Sequence, residues 1–333
     1  MSLKIRITEI VGLASTALRR TGLDEDDIKI VLSHLLDGEL SGHASHGFYR
    51  IPGIVRTLEK KGASTSNIAL ENETPFSVLV NGGGRLGLVV AQRATATVIR
   101  KAKASRIGIV GAYNYIGTTG AMGYYSREIV QEELIGIVIC NSEYAMAPWG
   151  GMRAILGTNP ISISIPTGHD PVVADLATSA WSYGDLAIAM KENRQIPYGI
   201  VLDKYGNPST DPNDADNGCQ LPMAGHKGYA LGLAVEILAG PFVRAKTGRE
   251  AVPGSDGFTV LAVDPSLFTP IQRFESEVSA LINEIKNSPR APGSTEILVP
   301  GERSSRTRAR NKGAEFIELP DSVVADIKAL AGS

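Results

Sequence analysis

Two short polar clusters in this sequence contain residue types that carry out acid–base chemistry on small organic acids. They are Ser45-His46-Gly47 with Arg50, and Gly225-His226-Lys227-Gly228 much further along the chain. A histidine titrates near neutral pH and can transfer a proton, and the planar guanidinium of arginine binds carboxylates. Ser45 can orient the imidazole of His46, and Gly47 permits close approach of the backbone. The first cluster therefore predicts proton transfer to or from a small carboxylic acid.

Each residue of this cluster also has an ordinary structural interpretation. His46 can be a core histidine bound by backbone groups, and Arg50 can be a surface arginine in water. His43 is a second candidate for the proton transfer. We favour His46 because Ser45 and Gly47 flank it, and because Arg50 falls on the same face if a helix begins here.

The composition indicates a protein that acts on a small molecule. The 333 residues carry a formal net charge of −2, so no positive field favours nucleic acid or an anionic membrane. A chain of this length is expected to form about two domains. No segment approaches the ~20 apolar residues that span a bilayer, and the N-terminus lacks the apolar segment of a secretory signal. Cys140 and Cys219 are too few for a disulfide framework, so we expect a cytoplasmic protein.

The hydrophobic pattern predicts a helical N-terminal region followed by alternating strands and helices. Ile10, Leu13, Ala14 and Leu18 recur at helical spacing. The predicted strands are 76–80, 107–110, 134–140, 161–165, 172–174 and 258–263. The predicted helices are 88–104, 121–131, 180–191, 229–238 and 272–286, with a last one near 323–330. This alternation predicts an α/β fold in which helices cover the faces of a sheet.

A GxGxxG sequence occurs at Gly82-Gly83-Gly84-Arg85-Leu86-Gly87, between a predicted strand and a predicted helix. In a Rossmann domain it binds a dinucleotide phosphate, and an acidic residue about twenty positions later binds the ribose. No Asp or Glu occurs between Glu73 and Glu128. We therefore interpret these glycines as a tight turn.

Three further segments lie where ligands gather in α/β proteins. Asp175-Leu176-Ala177-Thr178-Ser179 follows a predicted strand, although Thr178 or Ser179 can equally cap a helix. The Leu156-Gly157-Thr158-Asn159-Pro160 segment contains turn residues, which also occur for local reasons. Lys227 precedes a predicted helix, where the helix dipole favours an anion, although a lysine there is ordinarily solvated.

Other kinds of site are not indicated. The five histidines, at positions 34, 43, 46, 169 and 226, have no metal-ligand spacing, so we expect no metal. HExxH, P-loop and GxSxG sequences are absent. A basic run suits phosphate, but a solvated helix face is the simpler interpretation, and we expect no nucleic-acid partner. That run consists of Arg303, Arg306, Arg308, Arg310 and Lys312.

Taken in order, these motifs resemble the malate/L-lactate dehydrogenase family that is unrelated to the Rossmann-type malate and lactate dehydrogenases. The resemblance rests on Ser45-His46-Gly47 with Arg50, segments 156–160 and 175–179, and Gly225-His226-Lys227-Gly228-Tyr229. Members include ureidoglycolate, sulfolactate and diketogulonate oxidoreductases and cyclic-imine reductases. Each motif is weak alone, but their order along the chain is specific.

The resemblance implies a non-Rossmann nicotinamide-binding α/β domain with a mixed sheet, which agrees with the missing acidic residue after Gly87. It implies a helical domain built from both chain ends, residues 1–72 with 270–333, and a cofactor-binding domain at 73–269. It also implies NAD as cofactor, with NADP as the alternative. A homodimer in which the partner helps to complete the active site is implied as well.

The resemblance also assigns roles to residues. His46, assisted by Ser45, is the implied proton donor and acceptor, and Arg50, Tyr115 and Thr158 are the implied substrate contacts. The implied cofactor residues are Asp175, Leu176, Ala177, Thr178, Ser179, His226, Lys227, Gly301, Glu302 and Arg303.

The sequence departs from the family at one position of the implied site. Many relatives have a histidine in an Asn-x-x-His-x-Gly-like stretch, where this chain has Tyr115. In some members that histidine is the proposed base or a substrate contact, so their substrate preference does not transfer directly. Tyrosine can hydrogen-bond, but its unperturbed pKa of about 10 makes it a poorer base.

The resulting hypothesis is reversible hydride transfer between a nicotinamide and C2 of a small 2-hydroxy or 2-keto acid, with Arg50 on the carboxylate and His46 moving the proton. One alternative is a reductase of cyclic 2-imino acids such as piperideine- or pyrroline-2-carboxylate. Another is a cofactor-binding protein without turnover. A nucleic-acid module, suggested only by the basic run, is a third.

Overall fold

A seven-stranded mixed sheet forms the centre of the fold. The computed structural model describes residues 2–252 and 254–332. The strands are β1 (Ser2–Arg6), β2 (Ala69–Glu71), β3 (Ser77–Asn81), β4 (Ile107–Tyr113), β5 (Ile135–Cys140), β6 (Ile161–Ile165), β7 (Val172–Leu176), β8 (Val201–Leu202), β9 (Pro208–Ser209), β10 (Cys219–Gln220), β11 (Phe258–Val263) and β12 (Phe316–Pro320). The large sheet has the order β2-β3-β4-β11-β5-β6-β7, and within it only β3 and β4 run parallel. The predicted α/β fold with a mixed sheet is confirmed.

Helices cover this sheet and form a second layer. They are α1 (Ile7–Arg20), α2 (Glu25–Leu40), α3 (Ile51–Lys61), α4 (Gly87–Ser105), α5 (Met122–Val130), α6 (Tyr183–Lys191), α7 (Asp214–Asn217), α8 (His226–Ala239), α9 (Ile271–Asn287), α10 (Glu302–Asn311) and α11 (Asp321–Ala331). α4 and α5 bury apolar side chains, including Val98 and Ile129, against Val110 and Val138 of the sheet. Within the described residues, no helix is both long and apolar enough to cross a bilayer.

The two chain ends meet in one apolar cluster. It contains Leu18 of α1, Val31 of α2, Leu58 of α3 and Ile327 of α11. β1 and β12 pair antiparallel, which joins the two ends of the chain. α9 lies elsewhere, because Oγ of Ser279 donates a hydrogen bond to the carbonyl oxygen of Thr167 in the β6–β7 turn at 2.9 Å. The predicted helical domain, which resumes at residue 270, thus includes a helix, α9, that packs beside the large sheet.

The GxGxxG sequence forms the tight turn that leads into α4. Gly83 and Gly84 have φ values of +62° and +77°, which favour glycine. The backbone N–H of Arg85 donates to the carbonyl oxygen of Gly82 at 3.1 Å. Arg85 is bound to Asp24 and Asp27 of the helical layer. The glycines therefore form a tight turn, as predicted.

Candidate active site

The loop between α2 and α3 brings Ser45, His46 and Arg50 together. It consists of two short 3-10 turns joined at Gly47, whose backbone is extended. Oγ of Ser45 lies 3.2 Å from Nδ1 of His46. Nε of Arg50 donates to the carbonyl oxygen of Ser45 at 2.6 Å. The continuous helix considered for His46 and Arg50 is wrong. Ser45 connects the two side chains instead, with its hydroxyl next to His46 and its carbonyl oxygen bound to Arg50.

His46 is held as a neutral imidazole. Burial lowers its pKa to about 3, and the positive charges of Arg50 and His43 act in the same direction. The rival His43 is bound to Oγ of Ser304 through Nε2 at 2.9 Å. The structure therefore links His46 to Arg50 and directs His43 toward α10.

A cleft of about 180 Å³ opens beside Arg50. Arg50 supplies the only charge among its lining side chains, and the remaining walls are apolar or small. They come from Gly53, Ile54, Thr57, Leu86, Leu88, Gly117 and Thr118. A small acid in this cleft has one cation to bind its carboxylate.

α6 packs closely over the loop that carries Ser45, His46 and Arg50. A Cβ atom at Gly184 would lie 2.9 Å from Cβ of Ser45 and 3.3 Å from Nη2 of Arg50. Because that approach leaves no room for a side chain, glycine is required here. Burial lowers the pKa of Arg50, while Tyr183 and Asp185 on α6 oppose that shift. These residues were not singled out from the sequence.

His34 of α2 is a second histidine near the site that sequence reasoning missed. Its Nε2 accepts a hydrogen bond from the backbone N–H of Ala121 at 2.9 Å, which assigns the ring proton to Nδ1. Burial lowers the pKa of His34 to about 3, and His46 and Arg50 contribute to the shift. In the sequence His34 stands among apolar residues of a helical region, with no motif that distinguishes it.

Tyr115 does not reach the cleft. Its ring is 1% exposed in the core of the large sheet, and its hydroxyl donates to Oδ2 of Asp256 at 3.2 Å. Burial raises the pKa of Tyr115 well above its ordinary value. The structure therefore corrects the expectation that Tyr115 contacts the substrate, because its hydroxyl is enclosed and already hydrogen-bonded.

The turn containing Thr158 meets the segment after β7. The backbone N–H and Oγ1 of Thr178 both donate to the carbonyl oxygen of Thr158, at 2.9 and 3.0 Å. The backbone N–H of Met223 donates to the carbonyl oxygen of Thr178 at 2.9 Å. The backbone N–H of Ala180 donates to the carbonyl oxygen of Leu221 at 2.8 Å, so Ser179 and Pro222 form an antiparallel bridge. These segments were predicted separately, and the fold joins them just before the start of α8.

Neither Thr178 nor Ser179 caps a helix. Neither residue precedes a helix directly, and their side chains are buried. α6 begins later than predicted because Ser182 is its cap, with Oγ accepting from the backbone N–H of Asp185 at 3.1 Å. The hydroxyls of Thr178 and Ser179 bind the carbonyl oxygens of Thr158 and Trp181 instead.

Asp175 and Leu176 lie exposed at the end of β7, with Ala177 half-buried next to them. Oδ2 of Asp175 accepts from the backbone N–H of Gly123 at 3.1 Å. Although the side chain meets solvent, its carboxyl group is recessed against α5. This desolvation raises the pKa of Asp175, and the nearby Arg127 opposes the shift.

The second polar cluster forms the first turn of α8. The helix begins at His226, three residues earlier than predicted, so His226 and Lys227 are helical and exposed. Gly225 has a φ of +63°, and a Cβ there would lie 2.9 Å from the Trp149 ring. The first N–H groups of a helix have no partner within it, so this turn with Lys227 can hold an anion.

The C-terminal segment docks on the end of the sheet. The carbonyl oxygen of Pro300 accepts from the backbone N–H of Val173 at 3.0 Å. Gly301 has a φ of +88°, and a Cβ there would lie 2.9 Å from Cβ of Val173. Arg303 is exposed next to it. Gly301 and Arg303 therefore lie near β7, two residues from Asp175 along that strand.

Carboxylates pair with part of the basic run. Oε1 of Glu302 binds Nζ of Lys286 at 2.7 Å and Nη2 of Arg306 at 2.5 Å, so this predicted cofactor residue is occupied by ion pairs. Nε of Arg308 lies 3.0 Å from Oδ1 of Asp37 on α2. Two of the five basic residues of the run, Arg306 and Arg308, are therefore ion-paired.

Comparison with known proteins agrees with this geometry. The sequence model of the family described as malate/L-lactate dehydrogenase matches residues 5–328. The malate/(S)-sulfolactate dehydrogenase of Methanothermus fervidus is 40% identical, with 94% of this chain and 93% of that protein covered. The NADP-dependent (2R)-3-sulfolactate dehydrogenase of Chromohalobacter salexigens is 30% identical over 100% of this chain and 99% of its own length. The solved sulfolactate dehydrogenase of Methanocaldococcus jannaschii superposes with a TM-score of 0.90 at 33% identity, covering 99% of this chain and 97% of that one.

The fold and the sequence together define an oxidoreductase. The chain belongs to the malate/L-lactate dehydrogenase family, and the resemblance drawn from its motifs is confirmed.

Proposed function

We propose that this protein transfers a hydride between a nicotinamide cofactor and C2 of a small 2-hydroxy or 2-keto acid. The observation that carries the proposal is the joining of Arg50 to the Ser45–His46 pair beside a small cleft. The names of the relatives, which are malate and sulfolactate dehydrogenases, support it. All these substrates are 2-hydroxy acids with a carboxylate at C1.

Arg50 binds the carboxylate of the substrate. Among the described residues, only Nε of its guanidinium is hydrogen-bonded, and that bond holds the group against Ser45. The two terminal nitrogens are available for a bidentate contact, which fixes both the position and the plane of a carboxylate. Positioning the acid in this way orients C2 for reaction.

His46 moves the proton of the substrate oxygen. Its Nδ1 faces Oγ of Ser45, so Nε2 is the nitrogen that exchanges the proton. In oxidation the neutral imidazole accepts the hydroxyl proton, and in reduction the protonated form donates to the developing alkoxide. A carboxylate on Arg50 offsets one of the charges that lower the pKa of His46, so substrate binding favours the protonated form.

The cofactor is held at the edge formed by β7, the first turn of α8 and the C-terminal segment. Lys227 and the free N–H groups of α8 suit a phosphate, and the exposed Asp175 suits a ribose or amide group. The site thus comprises 175–179, His226, Lys227 and 301–303. When bound, the nicotinamide supplies or accepts the hydride. NAD is the proposed cofactor, and NADP is the alternative that the assay compares.

A second copy of the chain covers α8. Leu233, Ile237 and Phe242 on the outer face of this segment are 38%, 51% and 61% exposed. A helix that is apolar on all sides is normally buried. We therefore propose a homodimer. Analytical ultracentrifugation of the parent protein should give twice the 35.3 kDa chain mass. Ile237→Glu should give a monomer. The control Phe268→Glu, at an exposed position away from α8, should remain a dimer. A monomeric parent protein would contradict this.

The assay that tests the function measures NADH and NADPH oxidation against pyruvate, oxaloacetate, sulfopyruvate and cyclic 2-imino acids. We expect turnover on a 2-keto acid, and a loss of about 100-fold or more in kcat for His46→Ala. His169→Ala is the matched control, because His169 is exposed in the β6–β7 turn. Turnover on imines alone, or full activity of His46→Ala, would reject the proposal.

A further inference from the structure

Glu39 lies behind the loop that carries the candidate catalytic residues. It belongs to the last turn of α2, and its Oε1 accepts a hydrogen bond from the backbone N–H of Phe48 at 2.7 Å. Phe48 lies between His46 and Arg50 in the sequence and begins the second 3-10 turn. The carboxylate of Glu39 therefore binds the loop backbone midway between His46 and Arg50.

Two glycines allow this close approach. A Cβ at Gly38 would lie 2.7 Å from the carbonyl oxygen of His46, and a Cβ at Gly47 would overlap the carboxylate of Glu39. Gly47 has a negative φ, so its conformation does not itself require glycine. The space taken by Glu39 is the reason that position 47 lacks a side chain.

The carboxyl group of Glu39 has no charged partner among the described residues. Burial raises its pKa to about 7, and the hydrogen bond from Phe48 opposes the shift. The ionisable groups near this end of α2 make no contribution that offsets this burial. They include His43, His46, Arg50, Arg127 and Arg308.

We infer that Glu39 is a positioning residue, whose ionised carboxylate fixes the separation of His46 and Arg50 through the Phe48 N–H. A hydrogen bond from an N–H to a carboxylate is about twice as strong as one to a neutral acceptor. Loss of the charge loosens the loop, and a displacement of about 1 Å at a reacting group costs up to about 100-fold in rate. The effect on turnover rests on the proposed function, whereas the hydrogen bond itself does not.

The hydrogen bond is tested by NMR on the full-length protein labelled with ¹⁵N-phenylalanine. The Phe48 amide signal, assigned with Phe48→Leu, should shift with a midpoint near the Glu39 pKa of about 7. In Glu39→Gln the shift should disappear, and in the exposed control Glu59→Gln it should remain. A Phe48 signal that does not titrate in the parent protein overturns the inference, whatever the protein catalyses.

The positioning role is tested by the pH dependence of kcat/KM. Above the Glu39 pKa, Glu39→Gln should be about tenfold slower than the parent protein, and about two pH units lower the two should converge. Gly47→Ala, which displaces the carboxylate but leaves Glu39 in place, should lose a similar factor. If Glu39→Gln and the parent protein have equal kcat/KM at high pH, Glu39 has no positioning role. If the parent has no turnover but Phe48 titrates, the proposed function fails and the hydrogen bond stands.

Discussion

Nε of Arg50 lies 2.6 Å from the carbonyl oxygen of Ser45, and Oγ of the same serine lies 3.2 Å from the imidazole of His46. One residue therefore connects the proposed carboxylate-binding group with the proposed proton-transfer group. If these roles hold, the two groups share one support, which Arg50 binds through the Ser45 carbonyl oxygen and His46 contacts through the Ser45 hydroxyl.

Replacing Arg50 by lysine should raise KM for the acid and lower kcat/KM by about 100-fold. A lysine keeps the charge but cannot bond Ser45 and bind a carboxylate with two parallel hydrogen bonds at the same time. Arg56→Lys, at an exposed position of α3, the helix that follows Arg50, is the control in steady-state kinetics. Unchanged KM in Arg50→Lys would remove Arg50 from substrate binding.

Ser45→Ala should lower kcat by about tenfold, because the imidazole loses the hydroxyl that orients it. Binding of the cofactor should be unaffected, since the proposed cofactor residues lie at the end of β7 and the start of α8. Kinetics together with cofactor titration by fluorescence would measure both quantities. A change in cofactor affinity without a change in kcat would contradict this arrangement.

The protein should lose stability in acid because of His34. Its pKa is about 3 in the folded protein and near the ordinary histidine value of 6.5 in the unfolded chain, so between these values only the unfolded chain binds the proton. Stability should thus fall as pH decreases from 6.5 toward 3, by about 1.4 kcal/mol per pH unit for a fully shifted group. Urea unfolding across this range should show a shallower dependence for His34→Gln. An identical slope in parent and variant would contradict the burial of a neutral His34.

Gly120→Ala should destabilise the fold by about 2–4 kcal/mol. Gly120 has a φ of +77°, and a Cβ there would overlap Nε2 of His34. Gly12→Ala is the matched control: Gly12 lies in α1 with no atom within 4 Å of its Cβ position, and alanine there should stabilise the helix by about 0.5–1 kcal/mol. Thermal unfolding should show a lower stability than the parent protein for Gly120→Ala and a higher stability for Gly12→Ala.

The sequence predicts the large elements well, because their apolar patterns are long. β6 and β11 have the predicted bounds, and α4 differs by one residue at each end. β8, β9 and β10 have two residues each, which is too short for an alternating pattern to be recognised. β1 and β12 were missed because their pairing joins opposite ends of the chain.

The candidate site was predicted in its residues but not in its geometry. Ser45, His46 and Arg50 share a short segment, so their proximity followed from spacing. Tyr115 was assigned to the substrate because it replaces a family histidine, but only the fold reveals Asp256 next to it. Glu39 and His34 occupy ordinary helical positions, and their importance depends on contacts distant in sequence.

The most direct test of the proposed chemistry follows the hydride itself. The enzyme is supplied with NADH carrying deuterium at both C4 positions and with the best 2-keto acid of the panel. We predict a 2-hydroxy acid with one deuterium at C2, detected by NMR and mass spectrometry, whose formation is abolished in His46→Ala. A product without deuterium at C2, or labelled product formed equally fast by His46→Ala, would contradict the account.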